Sequence, residues 1–173
     1  MLQQHQQLIR IEIECSNCES HEETEMSRDL VITHWVDATP DVIWNAYSTP
    51  ELFHQFFSPE GLSIPLESVV MEFHVGGRFE FDMVFEESRE VSPNKGIILE
   101  LEAPHKMAFA EPDFMDGSFR STQTFTADNG GTLVVVTQEG LPEEIVDNPE
   151  VLEAFRSSFR KLGRVLNVNT ENR

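Results

Sequence analysis

The sequence predicts an α+β fold in which a curved antiparallel sheet wraps around one long C-terminal α-helix, with two short helices after the first strand. Three observations support this prediction. Residues 149–168 carry apolar side chains at helical spacing. Two Thr-Pro pairs, at residues 39–40 and 49–50, are typical of helix starts. Residues 66–139 consist largely of period-two stretches separated by turn sequences, as expected of antiparallel strands.

The first strand and the two short helices begin the predicted domain. Residues 29–36 are apolar and β-branched, which predicts a strand. Thr39 and Thr49 are the expected N-caps, and the proline after each suits the first helical turn. The buried faces are expected to carry Val42, Ile43, Ala46 and Tyr47 in the first helix, and Leu52, Phe53, Phe56 and Phe57 in the second.

A β-hairpin is predicted next. Residues 69–75 and 79–85 each alternate apolar and polar side chains, and Gly76-Gly77 supplies the turn between them. Residues 86–95 are polar and are expected to form a connection. The next strand is then expected to begin at residue 97 and to turn Leu99 towards the core.

Three further strands are predicted, at residues 106–110, 119–126 and 132–139. The sequence Asp-Asn-Gly-Gly at residues 128–131 is a strong turn signal between the last two of them. An acidic loop, residues 140–148, is expected to lead into the final helix.

The final helix has an apolar stripe and a conspicuous glycine. Asp147 or Asn148 can cap its start, and Pro149 suits its first turn. Gly163 costs about 1 kcal/mol relative to alanine inside a helix, so it predicts a closely approaching neighbour. The stripe packs as core or partly covers a cavity, and it consists of Leu152, Phe155, Phe159, Leu162 and Leu166.

Composition excludes several classes of function. The net charge is −19, from 12 basic and 31 acidic residues. Such a surface repels phosphate backbones and anionic lipid headgroups, so neither nucleic acid nor a membrane is an expected partner. The chain has no apolar run of the roughly 20 residues that span a bilayer, and its start lacks the pattern of a signal peptide. A cytoplasmic location is therefore expected.

The predicted domain organisation is a polar, flexible extension at residues 1–28, a single domain at 29–168 and a tail at 169–173. Met26 is an alternative translation start, because the domain pattern begins directly after it. The extension holds the sequence Cys-Ser-Asn-Cys, with the two cysteines at Cys15 and Cys18 and a histidine at His21. Three ligands fall short of the four that structural zinc normally takes, so no metal site is predicted.

On several runs the sequence resembles the bacterial Activator of Hsp90 ATPase homologues of the START-like (SRPBCC) helix-grip superfamily. The resemblance covers about residues 29–168. Phe56 and Phe57 stand where that family usually has a tryptophan pair, and Gln138 stands where many members have histidine. The resembling runs are residues 30–36, TPDVIWNAYSTPELFHQFFSPEG (39–61), VGGRFEFDM (75–83), STQTF (121–125) and GGTLVVVTQEGLP (130–142).

The resemblance implies a deep cavity between the concave face of the sheet and the last helix. The alternative is that the same side chains meet and fill that space, since protein interiors are densely packed. Phe56 and Phe57 are expected at its mouth. The other apolar candidates for its lining are Phe79, Phe81, Met83, Leu99, Phe109, Phe119, Val134, Val136, Phe155, Phe159 and Leu162.

Three polar residues share the inward parity of these strands. Ser121 and Gln123 alternate in phase with Phe119, and Gln138 alternates in phase with Val134 and Val136. Polar groups in an apolar space need hydrogen-bond partners. A ligand would supply them, and so would bonds among the three side chains.

The leading functional hypothesis is the non-catalytic binding of a small hydrophobic ligand, such as a lipid, in this cavity. Two alternatives stay open: a co-chaperone-like interaction module of the Hsp90 ATPase activator type, and a polyketide cyclase- or aromatase-like enzyme. No catalytic residue or cofactor is predicted, because the sequence lacks the hydrolase, metalloprotease and phosphate-loop motifs. The expected partner is a small apolar molecule or a chaperone, and the chain is a monomer or a homodimer.

Overall fold

The computed structural model describes residues 28–173. The predictions about Cys15, Cys18, His21 and Met26, and about the flexible extension that contains them, lie outside the described residues. Arg28, at the end of that extension, belongs to the fold, because its guanidinium pairs with Glu143 at 3.2 Å and with Asp147.

A nine-stranded antiparallel sheet and four α-helices make up the described part of the chain, which confirms the predicted fold class. The sheet order is β2-β4-β5-β6-β7-β8-β1-β9, and β3 also pairs with β4. The strands are β1 Leu30–Val36, β2 Leu62–Ser63, β3 Val70–Met71, β4 Arg78–Phe85, β5 Val91–Glu102, β6 Lys106–Ala110, β7 Arg120–Asp128, β8 Gly131–Glu139 and β9 Thr170–Asn172. The helices are α1 Pro40–Ser48, α2 Pro50–Phe56, α3 Glu143–Val146 and α4 Pro149–Leu166.

Helices α1 and α2 begin at the predicted prolines, but the prediction that the two threonine side chains cap them is wrong. Thr39 and Thr49 occupy the N-cap positions without a side-chain capping bond. The Thr49 hydroxyl instead donates to Asn45 Oδ1 at 3.3 Å. The preset φ of proline therefore starts these helices, without the usual side-chain cap. Val42, expected on the buried face of α1, is 43% exposed.

The predicted hairpin is only partly formed. Val70 and Met71 pair with Glu80 and Phe79, but no strand continues through residues 72–77. Gly76 has a φ of +83°, which favours glycine. At Gly77 an added Cβ would lie 2.0 Å from the Glu72 carbonyl oxygen, so the chain folds tightly back on itself there. The alternating pattern consequently fails at its end, where Val75 is exposed.

Strand β5 differs most from its prediction. It begins at Val91, within the expected polar connection, and runs for 12 residues. A β-bulge between Ile98 and Glu100 shifts its register against β6. Because the side-chain period of a strand is two, one extra residue reverses which side chains face inward. Ile98 is buried as a result, and Leu99 sits at the irregularity.

Two segments that were expected to be irregular are ordered. Residues 143–146, in the predicted acidic loop, form the short helix α3. Residues 170–172, in the predicted tail, form β9, which pairs with β1 and is the edge strand at that side of the sheet. Both corrections come from contacts between distant parts of the chain, which local polarity does not reveal.

Helix α4 lies along the concave side of the sheet. The Asn148 side chain caps it by accepting a bond from the Glu150 N–H at 2.9 Å, and Asn167 ends it in the left-handed conformation. The close neighbour predicted at Gly163 is present: an added Cβ would lie 2.8 Å from Thr170 Cγ2. We call residues 149–160 the roof half of this helix and residues 161–166 its anchored half. No helix within residues 28–173 is long and apolar enough to cross a membrane.

Candidate functional site

A cavity of about 680 Å³ lies between the concave face of the sheet and the roof half of α4. Small-molecule sites in proteins usually have volumes of about 300–1,000 Å³. The roof contributes Val151, Ala154 and Phe155 to the lining, and the sheet contributes side chains from β4 to β8. The space between sheet and helix is thus large enough to hold an organic molecule of ordinary size.

One side of the cavity is a phenylalanine wall, formed by Phe57, Phe81, Phe109 and Phe119. The Phe57 and Phe81 rings meet edge to face, with their centroids 5.4 Å apart. Phe53, which is fully buried behind the wall, stacks on Phe57 at 4.4 Å. These ring contacts fix the orientation of the phenylalanine side chains that form the apolar surface.

Next to the phenylalanine wall, on strands β7 and β8, lies a polar wall formed by Ser121, Gln123 and Gln138, in which Ser121 pairs with Phe109 of β6. Ser121 in β7 is directly opposite Gln138 in β8. The Gln123 amide Nε2 donates to Ser121 Oγ at 2.8 Å, and both side chains are buried. Gln123 Oε1 is also buried, and it has no hydrogen-bond partner among residues 28–173. An unpartnered buried acceptor costs about 1–3 kcal/mol, so it favours binding of a molecule that donates to it.

Tyr47 lines the same cavity from helix α1. Burial raises the pKa of its phenol above the ordinary value, so the side chain is neutral at physiological pH. The neighbouring strand residue Phe125 packs against its ring, with centroids 5.1 Å apart. Sequence reasoning assigned Tyr47 to the core of α1 and missed its contact with the cavity.

Several charged side chains belong to the cavity lining, and most of them are exposed to solvent. Arg160 pairs with Glu153 at 2.8 Å and with Glu60 at 3.5 Å, so this cation is already compensated. Arg164 and Arg160 also hold the pKa of the Glu60 carboxyl below its usual range. The lining includes five carboxylates against two cations, namely Glu60, Glu111, Asp113, Glu150 and Glu153 against Lys95 and Arg160.

His34 of β1 is a buried polar residue that was not among the predicted site residues. It stacks on Phe159 of the cavity roof, with ring centroids 4.4 Å apart and planes 9° from parallel. Neither ring nitrogen makes a well-formed hydrogen bond within the described part of the chain. Burial lowers the His34 pKa to about 4; the Asn172 side chain opposes this shift, and Arg156 and Arg160 add to it. Its shared parity with Leu30, Ile32 and Val36 could have shown that it faces inward.

The structure brings most of the predicted site residues together. Twelve of the sixteen line the cavity: Phe56, Phe57, Phe81, Met83, Phe109, Phe119, Ser121, Gln123, Val136, Gln138, Phe155 and Phe159. Phe79, Val134 and Leu162 lie in the packed core instead. Leu99 lies at the β5 bulge and lines no part of the cavity. A role in ligand contact remains a prediction for all sixteen residues.

The sequence prediction also missed a stretch of the lining. Residues 92–95, expected to be a connection, form the part of β5 that pairs with residues 80–83 of β4, and they line the cavity. Their polar composition concealed a strand that has one face towards the cavity. Within residues 28–173, no group of three or more histidine, cysteine or acidic side chains is placed to hold a metal ion.

Comparison with known proteins identifies relatives of this fold. The family described as Activator of Hsp90 ATPase homolog 1-like protein matches residues 37–167. A search of curated proteins finds no significant match. Solved structures align well despite low sequence identity, which establishes likeness of fold alone.

Three of these structures illustrate the likeness. A crystal structure of a protein from Chromobacterium violaceum has a TM-score of 0.70 at 20% identity and covers 80% of this chain and 96% of its own. One from Nitrosomonas europaea has a TM-score of 0.70 at 18% identity, with coverages of 80% and 94%. A solution structure of the AHSA1-like protein from Aeromonas hydrophila has a TM-score of 0.64 at 20% identity, with coverages of 81% and 92%.

Proposed function

The chain belongs to the Activator of Hsp90 ATPase homolog 1-like family, and we propose that it binds a small apolar ligand in the cavity beneath helix α4. The observation that carries this proposal is the cavity itself, at about 680 Å³ with a phenylalanine wall whose rings pack against one another. A filled core would have closed this volume, because interiors pack to high density with few voids. Aromatic and aliphatic surface left unfilled on this scale favours an apolar occupant.

The exposed end of the cavity supports the same function. Pro59, Glu60, Glu150 and Glu153 lie where the lining meets solvent, so a ligand can enter without unfolding of the sheet. The roof half of α4 is held to its surroundings near its C-terminal end. There the Glu60 N–H donates to Ser157 Oγ at 2.9 Å, and the Ser158 hydroxyl donates to the Phe57 carbonyl at 3.3 Å. The start of the roof is therefore the part best able to move during entry.

The first test is native mass spectrometry of the full chain purified gently from its own host, with the denatured mass as reference. A reproducible adduct of a few hundred daltons that is released on denaturation is expected. A second test needs no co-purified ligand: the neutral fluorophore N-phenyl-1-naphthylamine should bind the purified protein with a rise in fluorescence that saturates at one molecule per chain.

A matched pair of tryptophan variants locates the binding. Ala154→Trp places a large ring in the cavity from the roof and should weaken probe binding at least about tenfold, equivalent to about 1.4 kcal/mol. Val42→Trp adds the same ring at an exposed site of α1, away from the cavity lining, and should leave binding unchanged. Equal binding by both variants, or no saturable binding by the original protein, would contradict the proposed function.

A further inference from the structure

We infer that the ligand is a neutral apolar molecule whose buried end carries a hydroxyl group, which is held by Gln123 and Ser121 on the polar wall. This inference rests on the proposed binding function and names the class of ligand. It starts from the unpartnered oxygen of a buried glutamine that lines the cavity.

The unused hydrogen-bonding capacity of Ser121 and Gln123 defines the ligand group that would bind to them. Ser121 Oγ accepts from Gln123 Nε2 at 2.8 Å, which leaves the serine proton free to donate. Gln123 Oε1 needs a donor, because no described group supplies one. One ligand group that both donates and accepts a hydrogen bond would therefore satisfy the pair. A hydroxyl does both with a single oxygen, whereas an ether or a ketone can only accept.

The same conclusion holds if the glutamine amide is turned over. Its oxygen would then accept from the Ser121 hydroxyl, and its NH₂ group would be the unpartnered one. A ligand hydroxyl can accept from that NH₂ and donate its own proton to the Ser121 oxygen, whereas an ether or a ketone can make only the first of these two bonds. Gln138, directly across from Ser121 on β8, offers a further amide on the same wall. The match to a hydroxyl thus does not depend on which way the amide points.

Charge argues against a carboxylate at the same position. The lining carries five carboxylates and two cations, and Arg160 is already paired with Glu153 and Glu60. A ligand anion would enter a cavity whose lining is mostly acidic and would then lie beside an acceptor, Gln123 Oε1, with no cation of the polar wall to stabilise it. Burial of an uncompensated charge is costly. A fatty-acid anion is therefore expected to bind more weakly than the alcohol of equal length.

A matched series of ligands tests the inference on the full chain by displacement of N-phenyl-1-naphthylamine at pH 8. The series is 1-decanol, 1-methoxynonane and decanoate, which are close in length and differ in the polar end. One buried hydrogen bond is worth about 0.5–1.5 kcal/mol, so 1-decanol should bind about three- to tenfold more tightly than the ether. Decanoate should be the weakest. Equal affinities for alcohol and ether, or tighter binding of decanoate, would overturn the inference.

Variants assign the preference to the polar wall. Gln123→Leu keeps a similar volume and should reduce the alcohol-to-ether ratio to within about twofold, since the hydrogen bond is lost. Ser121→Ala is the second variant and should also lower the ratio. Gln55→Leu makes the same substitution at an exposed position of α2 and should leave the ratio as it was. A ratio that survives both wall substitutions would place the hydroxyl elsewhere and reject the inference.

The outcomes separate the two proposals. If the fluorophore does not bind the original protein, or binds Ala154→Trp equally well, the proposed function fails and the inference fails with it. If the fluorophore is displaced equally by all three ligands, the cavity binds apolar molecules and only the hydroxyl preference is wrong.

Discussion

The two halves of helix α4 share one continuous amphipathic sequence but meet different surroundings. The roof half faces the cavity with Val151, Ala154 and Phe155. The anchored half contributes no residue to the cavity lining; its Leu162 is 0% exposed, and its Gly163 lies against Thr170 of β9. A single helix thus both secures the fold and covers the candidate site.

The difference shows how the fold tolerates an internal space. Lys161 Nζ donates to the Ser58 carbonyl and hydroxyl oxygens, each at 2.9 Å, and to the Leu62 carbonyl at 3.3 Å. Stability concentrated at this end allows the other end to leave volume unfilled, although unfilled volume costs packing energy. We therefore expect substitutions in the anchored half to change stability, and substitutions in the roof half to change binding.

The largest expected effect is that of Leu162→Ala. Removal of a fully buried leucine should lower the free energy of unfolding by about 2–5 kcal/mol. Probe affinity, measured at a temperature where the variant is folded, should stay within about twofold of the original, because Leu162 does not line the cavity. Phe155→Ala removes a half-buried ring that lines the cavity. It should change probe affinity more than Leu162→Ala does, and urea titration should show a smaller loss of unfolding free energy. A greater loss of unfolding free energy for Phe155→Ala than for Leu162→Ala would contradict the expected difference between the two halves.

The next prediction concerns the pH dependence of stability and His34, which stacks on Phe159 near the junction of the two halves. Its pKa in the folded state is lowered to about 4, whereas the unfolded value is about 6.5. Between these values the unfolded chain binds a proton that the folded chain excludes, so stability is lost as the pH falls from 6.5 towards 4. The His34 share of this loss should be about 2–3 kcal/mol by pH 4.5.

The measurement compares urea unfolding at pH 7.5 and pH 4.5. His34→Leu should lose less stability than the original protein over this interval, because the titrating group is gone. His105→Leu, at an exposed position, should lose as much as the original. The His34 contribution would be refuted by identical losses in the original protein and in His34→Leu.

Lys161→Met should lower the free energy of unfolding by about 1–3 kcal/mol, because two backbone carbonyls and the buried Ser58 lose their charged donor. Burial lowers the pKa of this lysine, which reflects its partly desolvated position. Arg164→Met is the matched control, since its pair with Glu60 at 3.2 Å lies at the surface. Its loss should be under about 1 kcal/mol. Equal losses of unfolding free energy for the two variants in denaturant titrations would mean that the Lys161 hydrogen bonds do not stabilise the anchored half.

The smallest effect concerns Gly163→Ala. Alanine would favour the helix by about 1 kcal/mol in isolation, but its Cβ would lie 2.8 Å from Thr170 Cγ2 and 3.0 Å from the Val168 carbonyl oxygen. We expect a net loss of about 1 kcal/mol, in line with other overpacked sites. Thr170→Ala should restore part of that loss in the double variant, as a thermodynamic cycle of thermal or urea unfolding will show. Additive losses would mean that Thr170 is not the neighbour that limits this position.

The candidate site could be predicted where local periodicity decides and not where long-range pairing decides. Ser121 and Gln123 were placed inward from alternation alone, and the structure buries both. Leu99 was misplaced because a bulge has no reliable signature in a single sequence. The lining at residues 92–95 was missed because a polar strand resembles a loop until its partner strand is known. His34 was within reach, since its parity in β1 is that of three apolar residues.

The sequence by itself determined the element types, their order and the direction in which most side chains point, because these follow from backbone periodicity and from proline and glycine chemistry. Tertiary structure alone decided that the apolar stripe of α4 meets atoms at Leu162 and open space at Phe155. It also decided that Gln123 would be left without a partner for its oxygen. Periodicity fixes the direction of a side chain but not the distance to the surface that it faces, and that distance depends on contacts from the whole chain.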